Sequence, residues 1–229
     1  MHLLTDFLSK FALNVLFMDI KSFVFNAFYE NTYLLSSANR ETIIVDPGCY
    51  DSFEKKELTD FIKINKLNPI AIINTHCHID HVLGNYYLKK LYEIPLWIPA
   101  NEKKLLKSVS TYAPTMGIQG YKEAQPDIML KEKDLIKFGS EKLEILYAPG
   151  HSEGHLMFYH AADELLIAGD VIFRESIGRT DLPGGNFKTL EKSIKNQVYT
   201  LPDTVKIYPG HGPYTTVGHE KKKNPFVKP

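Results

Sequence analysis

The stretch Thr75-His76-Cys77-His78-Ile79-Asp80-His81 packs three histidines and an aspartate into six residues. The chain has nine histidines in 229 residues, so its composition gives such crowding little chance of arising at random. Imidazole nitrogen and carboxylate oxygen are the donors that zinc and similar metals take. The run Pro69–Ile73 just upstream is continuously apolar and predicts a buried strand. A helix is expected over Gly84–Tyr92 just downstream. The cluster therefore falls on a strand-to-helix turn. Turn geometry can aim several neighbouring side chains into one cleft, whereas a regular strand alternates them between two faces.

Four donors cannot satisfy two metals, and more donors follow three later strands. Ala148-Pro149-Gly150-His151 comes after the predicted strand Leu143–Tyr147. Ala168-Gly169-Asp170 ends the predicted strand Leu165–Ala168. Tyr208-Pro209-Gly210-His211-Gly212 ends the predicted strand Val205–Tyr208. Each places one donor just past an apolar run, with a small residue before it that allows close backbone approach. Loops at the ends of rigid strands are where sites are built. The candidate ligands are thus His76, His78, Asp80, His81, His151, Asp170 and His211.

Around these motifs the chain alternates strand and helix signals. Strands are predicted at Ser22–Phe25, Thr32–Leu35, Thr42–Val45, Pro95–Ile98, Asp127–Leu130, Leu135–Phe138 and Leu156–Tyr159. Asp51 with Glu54 forms a capping-box signature for a helix whose apolar face is Phe53, Leu58, Phe61 and Ile62. Phe187, Leu190, Ile194 and Val198 mark a further helix. Strands and helices without a strict βαβ rhythm predict a layered αβ sandwich, not a doubly wound sheet. Residues 1–17 read as an N-terminal extension, either a short amphipathic helix or a mis-assigned start; residues 18–229 read as one domain. The Lys221–Lys223 run reads as a solvated tail.

Composition narrows the function classes. Lys and Arg together number 27, as do Asp and Glu, so the net charge is zero and a nucleic-acid partner is disfavoured. No apolar window is long enough for a transmembrane helix. Two cysteines, Cys49 and Cys77, cannot form a disulfide scaffold and fit a cytoplasmic chain.

The order HxHxDH, His, Asp, His resembles the metallo-β-lactamase superfamily over nearly the whole chain, from about Asp19 to His211. Within it, the chain resembles the glyoxalase II (hydroxyacylglutathione hydrolase) group. The supporting segments are Val45-Asp46-Pro47-Gly48, Pro149-Gly150-His151-Ser152-Glu153-Gly154-His155 and Ile177-Gly178-Arg179-Thr180-Asp181-Leu182-Pro183-Gly184-Gly185. The resemblance implies an α+β fold: a four-layer αβ/βα sandwich of two mixed sheets flanked by helices, with the site at one edge. It implies that His76, His78 and His151 hold one divalent metal, that Asp80, His81 and His211 hold a second, and that Asp170 bridges them. The cofactors would be two divalent ions, zinc first, with iron or manganese accepted by the same donors. A hydroxide between the metals would attack a small-molecule thioester such as S-lactoylglutathione, and Asp80 would orient it as well as bind metal. Full-length glyoxalase II adds a helical C-terminal domain that binds glutathione; the 18 residues after His211 are too few for one, so those contacts do not carry over.

Around the ligands, Asp46 is a candidate to orient a ligand histidine and His155 to support the site. Arg179 and Asp181 are candidates for an ion pair shaping the mouth. Cys77 reads as a non-ligand, and His2, His160 and His219 as structural or exposed. The runner-up function is an iron-dependent persulfide dioxygenase, a related group with the same opening motif and a Gly-Arg-Thr-Asp segment but a single iron. Asp170 argues against a β-lactamase, which resembles this pattern but usually carries Cys or Ser at that position.

Overall fold

Residues 18–229 are described in the computed structural model. The extension read for residues 1–17 lies outside them. Strand β2 (Glu30–Ser36) shows how the layers arise. Tyr33 and Leu35 join a core between two sheets, while Leu34 joins a separate core under helices. The period-two alternation of a strand thus feeds two apolar layers, and every residue of β2 is buried.

The first sheet contains β1 (Asp19–Phe25), β2, β3 (Glu41–Val45), β4 (Asn68–Ile73), β5 (Leu96–Pro99) and β6 (Ile128–Leu130) in that order. β1 to β3 are antiparallel and β3 to β6 are parallel. Helices α1 (Ser52–Ile64), α2 (Asn85–Tyr92) and α3 (Lys103–Tyr112) cover its outer face. The second sheet has the order β14 (Thr215–Thr216), β13 (Lys206–Pro209), β10 (Leu165–Gly169), β9 (Leu156–His160), β8 (Glu141–Tyr147) and β7 (Leu135–Phe138). It is antiparallel except for the β10–β13 pair. Helix α4 (Phe187–Ser193) runs on as a π turn to Val198 and covers the other outer face. The hairpin of β11 (Ile172–Phe173) and β12 (Ser176–Ile177) and the helix α5 (Val217–Lys223) complete the chain. This is the four-layer sandwich of two mixed sheets that the sequence predicts. No helix among the described residues is long and apolar enough to cross a membrane.

The topology brings the carboxyl ends of β3, β4, β8, β10 and β13, and the amino end of β2, to one edge of the sandwich. All the candidate ligands leave the sheets there.

Some elements depart from the sequence reading. α3 was not expected. Its sequence is interrupted by Ser108, Val109 and Ser110, and its first turn has no side-chain cap, so the usual start signal is missing. Nor is the Lys221–Lys223 run a tail. It forms the last turn of α5, where Lys221 Nζ donates to Asp203 Oδ1 (2.6 Å) and basic residues suit the helix carboxyl end. Thr216 caps α5 by accepting from the His219 N–H, and Gly218 in the first turn obscures that signal.

Phe158 lies fully buried in the core between the sheets. Phe158→Ala should cost about 3–5 kcal/mol of stability. A lower denaturation midpoint at unchanged slope checks this; a midpoint shift too small to reach that range would show that the two sheets do not depend on this contact.

Candidate metal centre

The turn after β4 forms because Asp46, at the end of β3, gathers its donors. Asp46 Oδ1 accepts the Thr75 N–H (2.7 Å), and Oδ2 accepts the Thr75 hydroxyl (2.6 Å) and faces His81 Nδ1 (3.2 Å). Asp46 itself has φ of 46°, the left-handed region that Asp tolerates better than most residues. Asn74 fixes the far side of the turn, donating from Nδ2 to the His81 carbonyl (2.9 Å). Asn26 donates to the Asp80 carbonyl (3.0 Å).

Two groups of donors then converge. One ligand atom each from His76, His78 and His151 lies within 4.8 Å of the others; the same holds for Asp80, His81 and His211. Asp170 stands between them. Its Oδ2 is 3.5 Å from His151 Nε2 and 3.5 Å from His211 Nε2, and its Oδ1 is 3.5 Å from His81 Nε2. A third group, Asp46 with His76 and His81, meets the same spacing. Its carboxylate already accepts from Thr75 and faces the Nδ1 side of His81, so it orients that ring from behind.

Hydrogen bonds decide which nitrogen each ring presents. His151 Nδ1 donates to the Arg179 carbonyl (2.8 Å) and His211 Nδ1 to the Phe28 carbonyl (3.0 Å), leaving both Nε2 atoms for the centre. His76 Nδ1 lies 3.0 Å from the Thr75 hydroxyl. His76 Nε2, His81 Nε2 and Asp170 Oδ1 are buried without a hydrogen-bond partner. Buried polar atoms are almost always satisfied, so three orphans shared between the two donor groups and the carboxylate that stands between them are what cation binding requires. The donor set, imidazole with carboxylate, fits two divalent ions.

The halves differ electrically. Burial and the neighbouring His151 hold His78 down to about 4, and burial with His81 keeps His76 well below the usual imidazole range. That half offers neutral nitrogens. In the other half burial also opposes charge, yet Asp80 and Asp170 hold His81 well above its ordinary value, and hydrogen bonds to Asp170 and Asp80 carry His211 to about 9. The carboxylates of that half thus favour positive charge beside them.

Glycines make room at two ligands. A Cβ on Gly210 would lie 2.1 Å from Asp170 Oδ1. Gly150 has φ of +130°, and a Cβ there would lie 2.2 Å from the Leu190 nitrogen.

The remaining candidates sit around this centre. His155 is fully buried, stacks on His76 at 4.7 Å and accepts the Asp170 N–H at Nε2 (3.0 Å). Arg179 lines the cavity above the centre and pairs with Asp181 in a two-pronged bond of 2.7 Å each; both side chains are exposed. Cys77 turns into the core with Ile79 and Val82. His160 lies between Glu141 and Asp163, and His219 pairs with Glu175. Asn74, Thr75 and Asn26 were not singled out from sequence. The signal available was the polar pair Asn74-Thr75 ending an otherwise apolar strand.

The cavity above the donors holds about 640 Å³. Its walls are mainly apolar, with Phe28 from the β1–β2 turn, Leu105 and Tyr112 from α3, Met116, and Phe173 from the β11–β12 hairpin.

The family model described as Metallo-beta-lactamase superfamily matches residues 26–211. The chain is 35% identical to the hydroxyacylglutathione hydrolase GloC of Haemophilus influenzae over 92% of this chain and 98% of that protein. It is similar to the crystal structure of the BLEG-1 B3 metallo-beta-lactamase, with a TM-score of 0.84 at 31% identity, covering 92% of this chain and all of that one. It is also similar to the structure of TTHA1623 in a di-iron-bound form, with a TM-score of 0.81 at 31% identity over 90% of this chain and 100% of that chain.

Stripping cations with a chelator should lower the melting temperature by on the order of 10 °C, because the orphaned donors lose their partner. Calorimetry with and without added zinc checks this. Identical melting curves would mean that the donors do not bind zinc in the folded state.

Proposed function

The chain belongs to the metallo-β-lactamase superfamily, and from that premise we propose that it is a metal-dependent thioester hydrolase, acting on a small hydroxyacyl thioester such as S-lactoylglutathione. One observation carries the reading: Asp170 faces a donor of each half-site at 3.5 Å, so the two groups of ligands share a carboxylate and form one dinuclear centre.

His76, His78 and His151 would hold one cation and Asp80, His81 and His211 the other, with Asp170 between. A pair of divalent ions supplies hydroxide at neutral pH and polarises a carbonyl oxygen. The chain's own side chains do the rest. Asp46 and the carbonyls of Phe28 and Arg179 keep three imidazoles in the tautomer and orientation that present Nε2. Asp80 Oδ2, 3.2 Å from His211 Nε2 and facing the cavity, orients a water and holds its proton. Phe28, Leu105, Tyr112 and Phe173 exclude bulk water and accept the apolar parts of a substrate. No cysteine is needed as nucleophile: burial pushes the Cys49 thiol up to about 12 and Cys77 well above its usual value, and both lie in the core. The support for a thioester is the named activity of GloC together with this cavity.

Zinc has no redox chemistry, which separates hydrolase from oxygenase. Metal-free protein loaded with zinc alone should release free thiol from S-lactoylglutathione without consuming oxygen. Zinc protein inert toward every thioester, while iron protein consumes oxygen with glutathione persulfide, would transfer the assignment to a persulfide dioxygenase. Faster turnover of a β-lactam than of any thioester would transfer it to the activity named for BLEG-1. Asp170→Ala should abolish thiol release and reduce bound metal from two ions toward one or none. Two tightly held ions in that variant would refute the shared carboxylate.

A further inference from the structure

Glu102 belongs to no motif, yet it is 1% exposed and ties together two loops that carry ligands. Its Oε2 accepts the Cys77 N–H at 3.0 Å, and Cys77 lies between His76 and His78. Its Oε1 accepts the Gly154 N–H at 2.6 Å, in the loop that carries His151 and just before His155. The carboxylate occupies space that Gly154 leaves open, since a Cβ there would lie 2.8 Å from Glu102 Oε1. Glu102 also ends the 3₁₀ turn Ala100–Glu102 that leads into α3, and Leu105, Ser108 and Tyr112 of that helix line the cavity. It is not among the groups whose atoms could hold a cation.

We propose that Glu102 is a positioning residue that fixes the distance between the His76–His78 turn and the His151 loop, and so sets the cation affinity of the three-histidine half of the centre. The inference rests on the reading that these histidines hold a cation. A carboxylate offers an acceptor oxygen to each loop, and hydrogen bonds to a charged acceptor are the strong ones. A glutamine of the same shape keeps one acceptor and turns an NH₂ toward the other loop's N–H. That loop must then move away, and the three nitrogens lose their common focus. The Asp80, His81 and His211 half does not contact Glu102 and keeps its geometry.

The experiment is a zinc titration of metal-free protein, followed by competition with a chelator, on wild type and Glu102→Gln. A parallel cobalt(II) titration read by absorption reports coordination geometry independently of activity. Circular dichroism checks the fold. Wild type should bind two ions. Glu102→Gln should bind one with unchanged affinity and the other about 10–100-fold more weakly, with an altered cobalt spectrum. If wild type binds no ion, the assignment of the centre fails. If wild type and Glu102→Gln both bind two ions with equal affinity, the centre stands and the role of Glu102 is overturned. Equal weakening of both ions also overturns it, since that is the mark of general destabilisation. Should Glu102→Gln fail to fold, Gly154→Ala displaces the same carboxylate from the loop side and should give the same one-ion loss. Two tight ions in that variant, or failure of both variants to fold, would refute a positioning role.

Discussion

His76 Nε2, His81 Nε2 and Asp170 Oδ1 are buried at one edge of a sandwich, and the protein gives none of them a hydrogen-bond partner. Leaving a buried polar atom unsatisfied costs about 1–3 kcal/mol, and several in one place would be a serious burden for a fold of ordinary stability. The surrounding structure makes sense as an arrangement that keeps these atoms facing the cavity edge while fixing the rings that carry them. Three of the rings have their other nitrogen engaged: by Asp46 for His81, the Arg179 carbonyl for His151 and the Phe28 carbonyl for His211. Asp170 has its backbone N–H held by His155, so its carboxylate stays between the two groups.

How much of this can be read in the sequence depends on whether a residue's role is local. The candidate ligands are legible because each follows an apolar strand in a short, polar or Gly-rich segment, and the strands themselves are legible from continuous apolar runs. The capping box of α1 is likewise a local signal, and it is present with both of its hydrogen bonds. Glu102 is not legible. It contacts residues 25 and 52 positions away, and it precedes a helix that lacks a cap and contains poor helix formers. Nothing near it in sequence distinguishes it from a surface glutamate. The β11–β12 hairpin is missed for a related reason: two-residue strands have no periodicity to detect. Arg179 and Asp181 are close in sequence, so their pairing could be anticipated, but the use of the Arg179 carbonyl to fix His151 could not.

The centre is also a seam between the two sheets. His76, His78, Asp80 and His81 come from the first sheet, and His151, Asp170 and His211 from the second. Protein hydrogen bonds cross the same edge. The Tyr33 hydroxyl donates to the Pro209 carbonyl at 2.6 Å, and Asn31 Nδ2 donates to the carbonyls of Pro209 and Gly212. The Asn31 N–H donates to the Gly210 carbonyl. His211 closes the series through the Phe28 carbonyl. These contacts set how far β13 stands from β2 before any ion binds.

That ordering bears on how rigidly the donors are held. Ligands drawn from a single loop could adapt to an ion by moving together, so the ion would choose the geometry. Here the apolar layer between the sheets, with Leu35, Ile43, Phe158 and Ile167 fully buried, fixes the separation of the two sheets. Interiors packed at crystal density resist change by even a methylene, so the edge inherits that stiffness. The donors therefore meet at a spacing chosen by the core, which any ion placed there would have to fit. A centre prepared in this way loses little free energy to rearrangement when a substrate's charge shifts, which is the condition for electrostatic catalysis. The cavity wall shares the same foundation, because Leu105 and Tyr112 sit on the helix that Glu102 ties to both ligand loops. Substrate position and ligand spacing are thus referred to one rigid frame, and a change in the packing beneath either must be felt by both.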